Sequence, residues 1–223
     1  HHKDGHRIAV SVQASPVRDH DGAVIGAIEI FREAAAQPID ALEFEELQRL
    51  ALLDPLTETA NRRYLEMKLQ AELDKFKRFG IGVGVIFADV DHFKTFNDSY
   101  GHALGDDVLR MVGRTLQKNI RSTDLCGRWG GEEFLVVVTH TDQHRLAQLA
   151  DKLRRLVESC FILHQKQRLT VTISAGVAVA GSQDTPETVL ARADELLYTA
   201  KRTGRNRIMS DQHSAEQTKE ECA

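Results

Sequence analysis

Polar and apolar residues alternate over residues 7 to 14, with Ile8, Val10, Val12 and Ala14 on one side and Ala9, Ser11 and Gln13 on the other. A second apolar run covers residues 23 to 31. A period of two predicts strands. Between them Arg18-Asp19-His20-Asp21-Gly22 carries turn chemistry, so residues 1 to 33 are expected to form a hairpin, a unit too small to be stable alone. From residue 38 the period changes. Pro38 suits a first helical turn, Ile39, Leu42, Leu47, Leu50 and Leu53 fall mostly on one face, and Asp54-Pro55 ends the pattern. Two heptads are fewer than the roughly three to four that define a coiled coil, so this helical linker could bring two chains together only weakly.

Beyond Leu56 helical and strand patterns interleave. Helices are predicted over residues 61 to 79, 106 to 120, 142 to 160 and 186 to 202, and strands over 83 to 90, 125 to 129, 132 to 138 and 169 to 180. That order predicts an α/β (α+β) domain of about 160 residues, a mixed sheet flanked by helices, behind the N-terminal β-hairpin and helical linker. The expected boundaries are 1–36 for the hairpin unit, 37–53 for the linker, 54–210 for the sheet domain and 211–223 for a polar tail.

Composition narrows the partners. With 42% hydrophobic and 28% charged residues the chain is globular in type. Twenty-nine Lys and Arg against 33 Asp and Glu leave a net charge of −4, which argues against nucleic acid as a partner. The longest run without a polar side chain is residues 81 to 88, far short of the roughly 20 needed to span a bilayer, so no membrane segment is expected. Cys126, Cys160 and Cys222 are widely spaced, with no CxxC pair to suggest a disulfide framework or zinc knuckle. A cytoplasmic location is expected.

Two segments carry chemistry. The apolar run 83 to 90 ends in Asp89-Val90-Asp91, which at period two puts both carboxylates on one face at a sheet edge. Mg²⁺ is held by one or two carboxylates plus substrate phosphates, although on its own the segment also reads as a solvated strand end with a helix cap at Asp91. The second is Arg128-Trp129-Gly130-Gly131-Glu132-Glu133-Phe134, with Gly-Gly between two predicted strands. Such a pair signals a tight hairpin with φ > 0 at both central residues and an apex free of side chains, open to an anionic ligand with Glu132 and Glu133 just beyond.

Together with further blocks, these residues resemble the GGDEF domain of bacterial diguanylate cyclases over about residues 53 to 209. The hairpin Gly130-Gly131-Glu132-Glu133-Phe134 is similar to the family's GGEEF variant. Asp54-Pro55-Leu56-Thr57 and Asn61-Arg62-Arg63 resemble its opening motif. Phe87 to Lys94, Asn97-Asp98, Tyr100-Gly101-His102 and Gly105-Asp106 match at the expected spacings, as do Ala191 to Asp194 and Lys201 to Asn206. The hairpin at the N-terminus resembles the closing hairpin of a PAS sensor domain.

The GGDEF resemblance implies a palm-like fold shared with nucleotidyl cyclases and polymerases, and a homodimer that condenses two GTP into cyclic di-GMP with two ions of Mg²⁺ (or Mn²⁺) per active site. It implies that Asp89, the Val90 carbonyl and Glu132 hold the metal, with Glu133 a further ligand or the proton acceptor. Asn97 and Asp106 would read guanine, while Phe93, Lys94, Gly130, Gly131, Lys201 and Arg205 would complete the substrate site. Lys201 and Arg205 also sit with Arg202 and Arg207 at a helix C-terminus, where the dipole favours cations in any case. His92 and His102 are expected to be structural. Arg121-Ser122-Thr123-Asp124 falls where the family has its inhibitory RxxD site for the product, with Lys152 the basic residue expected on the next helix. Glu58-Thr59 stands where the family usually has Gly-Leu, leaving the turn after the linker undefined. The alternative is a catalytically silent domain that binds GTP or cyclic di-GMP and regulates a partner; loss of at least one acid would favour it, and none is lost.

Overall fold

The computed structural model describes residues 10–19, 21–33 and 50–211. These fall into two units divided between Leu52 and Leu53. In the first, β1 (Val10–Arg18) and β2 (Val24–Glu33) pair antiparallel, with Val12 opposite Phe31 and a bulge between Val17 and Arg18. Asp19 closes the turn by accepting from the N–H groups of Asp21 (3.1 Å) and Ala23 (2.8 Å). β1 runs further than the alternation predicted, through Pro16, because in a two-stranded ribbon each strand is an edge and a missing N–H is tolerated. Most of the predicted linker helix lies outside the described residues; residues 50 to 52 are helical.

The second unit is a five-stranded sheet between helical layers. Its elements are α1 (Arg62–Phe79), β3 (Val83–Val90), α2 (Phe93–Tyr100), α3 (His102–Lys118), β4 (Leu125–Gly130) and β5 (Glu133–Thr139). They continue as α4 (Gln143–Ser159), β6 (Ile162–His164), β7 (Gln167–Leu169), β8 (Ile173–Val179), α5 (Pro186–Arg202) and β9 (Ile208–Ser210). The strand order is β4-β5-β3-β8-β9, antiparallel except for the parallel β8–β9 pair, and β6–β7 form a separate small hairpin. β3 is central and buried on both faces, which is why it reads as a continuous apolar run. Ile86, Ala88 and Val90 join Val108, Leu109 and Leu153 from α3 and α4 in one core. Val83, Val85 and Phe87 join Leu65, Leu69 and Leu197 from α1 and α5 in the other.

Helix limits follow local chemistry. Asn61 caps α1 by accepting from Tyr64 N–H at 2.9 Å, and Gly80 ends it in the left-handed conformation. Asp142 caps α4, and Thr185 with Thr188 forms a capping box ahead of Pro186 on α5. Three features depart from the predicted pattern. α2 was not foreseen, α3 starts at His102 rather than at 106, and the predicted strand 169 to 180 is split between β7 and β8. Gly101, at φ 84° and ψ 159°, separates α2 from α3 in a conformation suited to glycine.

The turn ahead of α1 binds the edge of the sheet. Asp54 Oδ1 accepts from Thr57 N–H and Oγ1, both at 2.8 Å, Leu53 bridges Ala60, and Ala60 pairs in parallel with Gly127 of β4. Asp54 also meets Arg128 at 3.5 Å, and Arg128 Nε donates to Gly131 O at 2.8 Å, so this turn is joined to the Gly-Gly hairpin. Glu58 takes φ 57° here, in the left-handed region that favours glycine, and is a strained residue. Glu58→Gly is therefore expected to raise stability by about 1 kcal/mol, read as an increase in melting temperature of the whole protein. An unchanged or lower melting temperature would count against the strain.

Candidate active site

The acids converge at one end of the sheet. Asp89 on β3 lies opposite Glu133 on β5 and Ser174 on β8, and Val90 N–H donates to Glu132 O at 3.3 Å. Lys201 reaches in from α5 and places Nζ 2.8 Å from Asp89 Oδ2. Burial pushes the Asp89 carboxyl up to about 6, Lys201 opposes that shift, and the neighbouring Glu132 and Glu133 add to it. Glu133 is raised as well, first by burial, while Lys201 pulls it down and Asp194 and Glu132 push it up. A buried carboxylate with two further acids and one ammonium against it is a seat for positive charge.

The hairpin differs in register from the prediction. Gly130 pairs with Glu133, so the central residues are Gly131 and Glu132 rather than the two glycines. Of these only Gly131 has positive φ, 51°, and Glu132 itself stands at the apex, its carbonyl accepting from Val90 N–H, while Glu133 is the residue directly opposite Asp89. Asp91 also departs from expectation. It is buried and fully engaged, accepting from Thr172 Oγ1 (2.7 Å), Ser174 Oγ (2.6 Å) and the Asn206 N–H (3.0 Å), so it anchors loops instead of joining the acids. Nor does it cap a helix, since His92, at φ 57°, is the residue ahead of α2 and makes no side-chain cap bond.

Asn97 on α2 packs against Gly105 on α3, where any Cβ would overlap Asn97 Oδ1. This closeness brings Asn97 alongside the turn that carries Asp106, which is half-buried. Asn97 Oδ1 is buried without a hydrogen-bond partner, an acceptor left for a ligand donor. Lys94 and Arg205 are exposed. The Phe93 ring lies in the core beside Phe96 and Val108, which leaves its backbone, at the start of α2, as the part able to meet a ligand. His102 opens α3 and is exposed.

Arg121 and Asp124 lie elsewhere, at the far end of β5 from Glu133, roughly 20 Å away for a strand of this length. They line a cavity of about 420 Å³ with His140, Arg145 and Lys152. Asp124 holds its own turn, accepting from the N–H groups of Arg121 (3.1 Å) and Thr139 (3.2 Å). Lys152, expected as the basic partner, donates to Asn119 O at 3.3 Å. The guanidinium that the sequence reading missed is Arg145, seven residues back on α4 and so on the same stripe.

Among the described residues no three His, Cys, Asp or Glu side chains converge as a metal cage. A site of one or two carboxylates completed by substrate phosphates fits what is present: Asp89 already holds a cation, Lys201, and Glu132 and Glu133 stand beside it. No helix among the described residues is long and apolar enough to cross a membrane.

Residues 51–207 match the family model described as "Diguanylate cyclase, GGDEF domain". The diguanylate cyclase DgcP of Pseudomonas aeruginosa is 35% identical over 195 residues, covering 85% of this chain and 29% of the relative. The response regulator PleD of Caulobacter vibrioides is 36% identical over 216 residues, covering 86% of this chain and 48% of PleD. The chain thus spans less than half the length of either. Among solved structures, the coiled coil and GGDEF domain of DgcB from Caulobacter crescentus, in complex with c-di-GMP, superposes with a TM-score of 0.72 at 29% identity, over 76% of this chain and 90% of that one. The mixed sheet, its helical layers and the family match over most of the chain place it in the GGDEF family of diguanylate cyclase domains.

Proposed function

We propose that the chain is an active diguanylate cyclase that joins two GTP into cyclic di-GMP and releases two pyrophosphates, with one GTP on each subunit of a homodimer. The observation that carries this is the convergence of Asp89, Glu132, Glu133 and Lys201 at one sheet end. Asp89, the Val90 carbonyl and Glu132 would hold Mg²⁺ or Mn²⁺, two ions per site, which when bound neutralise the phosphates and the departing pyrophosphate. Lys201, Lys94 and Arg205 hold the triphosphate, with the Phe93 backbone and Gly130-Gly131 leaving room for it. Asn97 and Asp106 take the guanine edge, the orphan Asn97 Oδ1 accepting from a ring N–H. The 3′ oxygen of one GTP attacks the α-phosphorus of the other, the bond to pyrophosphate breaks, and Glu133 takes the hydroxyl proton; its raised pKa makes it a better acceptor than a free carboxylate. A second, symmetric step closes the ring.

In this reading β1–β2 is the closing hairpin of a PAS-like sensor and residues 37 to 53 form the signalling linker. The GGEEF motif is the active variant of the hairpin, and the protein works in the cytoplasm. The test is incubation with GTP and Mg²⁺, with products identified by mass across a range of protein concentrations. Cyclic di-GMP formed with a specific activity that rises with concentration supports the homodimer. GTP bound but unchanged would favour the silent domain instead.

The cavity at Arg121 and Asp124 is proposed as the inhibitory product site, with Arg145 beside it able to grip guanine O6 and N7. Arg121→Ala is expected to weaken cyclic di-GMP binding by at least about tenfold while turnover persists, because the acids lie a strand length away. Unchanged dinucleotide affinity in calorimetry would sink the assignment.

A further inference from the structure

The loop after α5 passes through three successive residues of positive φ, Gly204 (124°), Arg205 (58°) and Asn206 (46°). Glycine adopts such a backbone freely, whereas residues with side chains stay there only when their surroundings hold them. The holding is concentrated on Asn206. Its N–H donates to Asp91 Oδ2 at 3.0 Å, its Nδ2 donates to Glu158 Oε1 at 2.8 Å, and its Oδ1 accepts from Arg154 Nη1 at 2.7 Å. Arg154 is itself fixed along α4 by Asp151 at 3.0 Å and Glu158 at 2.8 Å. Arg205 shows the opposite pattern. Its backbone N–H is bonded to Ala200 O at 3.0 Å and its carbonyl accepts from Arg207 Nε at 3.0 Å, yet its exposed guanidinium has no hydrogen bond or ion pair among the described residues.

A residue whose backbone N–H and side-chain amide are committed therefore stands next to one whose cation has no partner among the described residues. We infer that Asn206, gripped by Arg154 and Glu158 of α4 and tied through its N–H to Asp91, is a positioning residue that aims the Arg205 guanidinium at the phosphates bound beside Asp89. Asp91 lies two residues beyond Asp89, so the tether fastens the loop to the strand end that carries the acids. Fixing the Arg205 backbone in advance removes a cost that would otherwise fall on ligand binding. The inference rests on the proposed role of Arg205 as a triphosphate ligand.

The experiment is a double-mutant cycle read by calorimetry, using the α,β-methylene analogue of GTP, which cannot be turned over, against GMP. Asn206→Gly is the variant of choice, since glycine keeps the positive φ and the N–H bond to Asp91 while deleting the grip on α4. Asn206→Gly is expected to weaken the triphosphate about tenfold and leave GMP unchanged, and to add less than about twofold once Arg205 is alanine, because its effect passes through that side chain. A purely structural clamp would weaken both nucleotides, or would keep its full effect in the Arg205→Ala background. Either result overturns the inference, as would unchanged triphosphate affinity in Asn206→Gly. If Arg205→Ala alone leaves triphosphate affinity untouched, the phosphate role of Arg205 fails first and takes the inference with it. Loss in Arg205→Ala without loss in Asn206→Gly removes the inference alone.

Discussion

Glu132→Gln is expected to lower cyclic di-GMP formation by about three orders of magnitude while leaving the fold intact. The size follows from the charge removed: stabilisation of the phosphates and the leaving group is worth several kcal/mol, and each 1.4 kcal/mol is about tenfold in rate. The fold should survive because Glu132 is placed by its backbone. Its carbonyl accepts from Val90 N–H at 3.3 Å and the turn geometry depends on Gly131, so the carboxylate contributes nothing to the hairpin that an amide of equal volume would lack. Product measured by mass, beside a melting curve, separates loss of chemistry from loss of structure. Formation of product at the wild-type rate would remove Glu132 from the metal site.

Much of this arrangement was legible in the sequence, for identifiable reasons. α5 runs over 186–202 as predicted because Thr185 and Pro186 write its start, and β3 covers its predicted limits because a strand buried on both faces has no polar interruption before Asp89. The strand end and the Gly-Gly pair marked Asp89, Glu132 and Glu133 locally, but each segment alone also reads as solvated acids, and it was the resemblance to the GGDEF domain that joined them into one candidate site. What stayed hidden was non-local or short. Asp91 is claimed by Thr172, Ser174 and Asn206, 81 to 115 residues away, and nothing beside it in the chain announces those partners. β6, β7 and β9 have three residues each, too few to show a period. The hairpin register shifted by one because a local rule about glycine pairs does not see the bulge between Arg128 and Gly130.

Asp89→Asn is expected to have two effects of opposite sign, loss of turnover comparable to that of Glu132→Gln and a gain in stability of the free protein. The carboxyl of Asp89 is raised from its ordinary value of 3.8 to about 6 by burial, even with Lys201 in contact. A group whose folded pKa lies above its unfolded one makes the native state bind extra protons between those values, so stability falls as pH rises from about 4 to 6 and the cost is complete above that. Asparagine imitates the neutral carboxyl and removes the cost. Lys201, 32% exposed, can turn to water when its partner loses charge. After allowance for that screening, the variant should be more stable than wild type by roughly 2 kcal/mol at pH 7.5, with the difference shrinking toward zero near pH 4. The other face of the same shift is cation binding: the site attracts cations only when Asp89 is ionised, so the affinity of the nucleotide-free protein for divalent ions should rise with pH on the acid side. Denaturant melts of both proteins at several pH values, without nucleotide or Mg²⁺, test the stability claim directly. A variant less stable than wild type at pH 7.5, or a gap that does not change with pH, would show that Asp89 is held there by its surroundings at no cost to the fold.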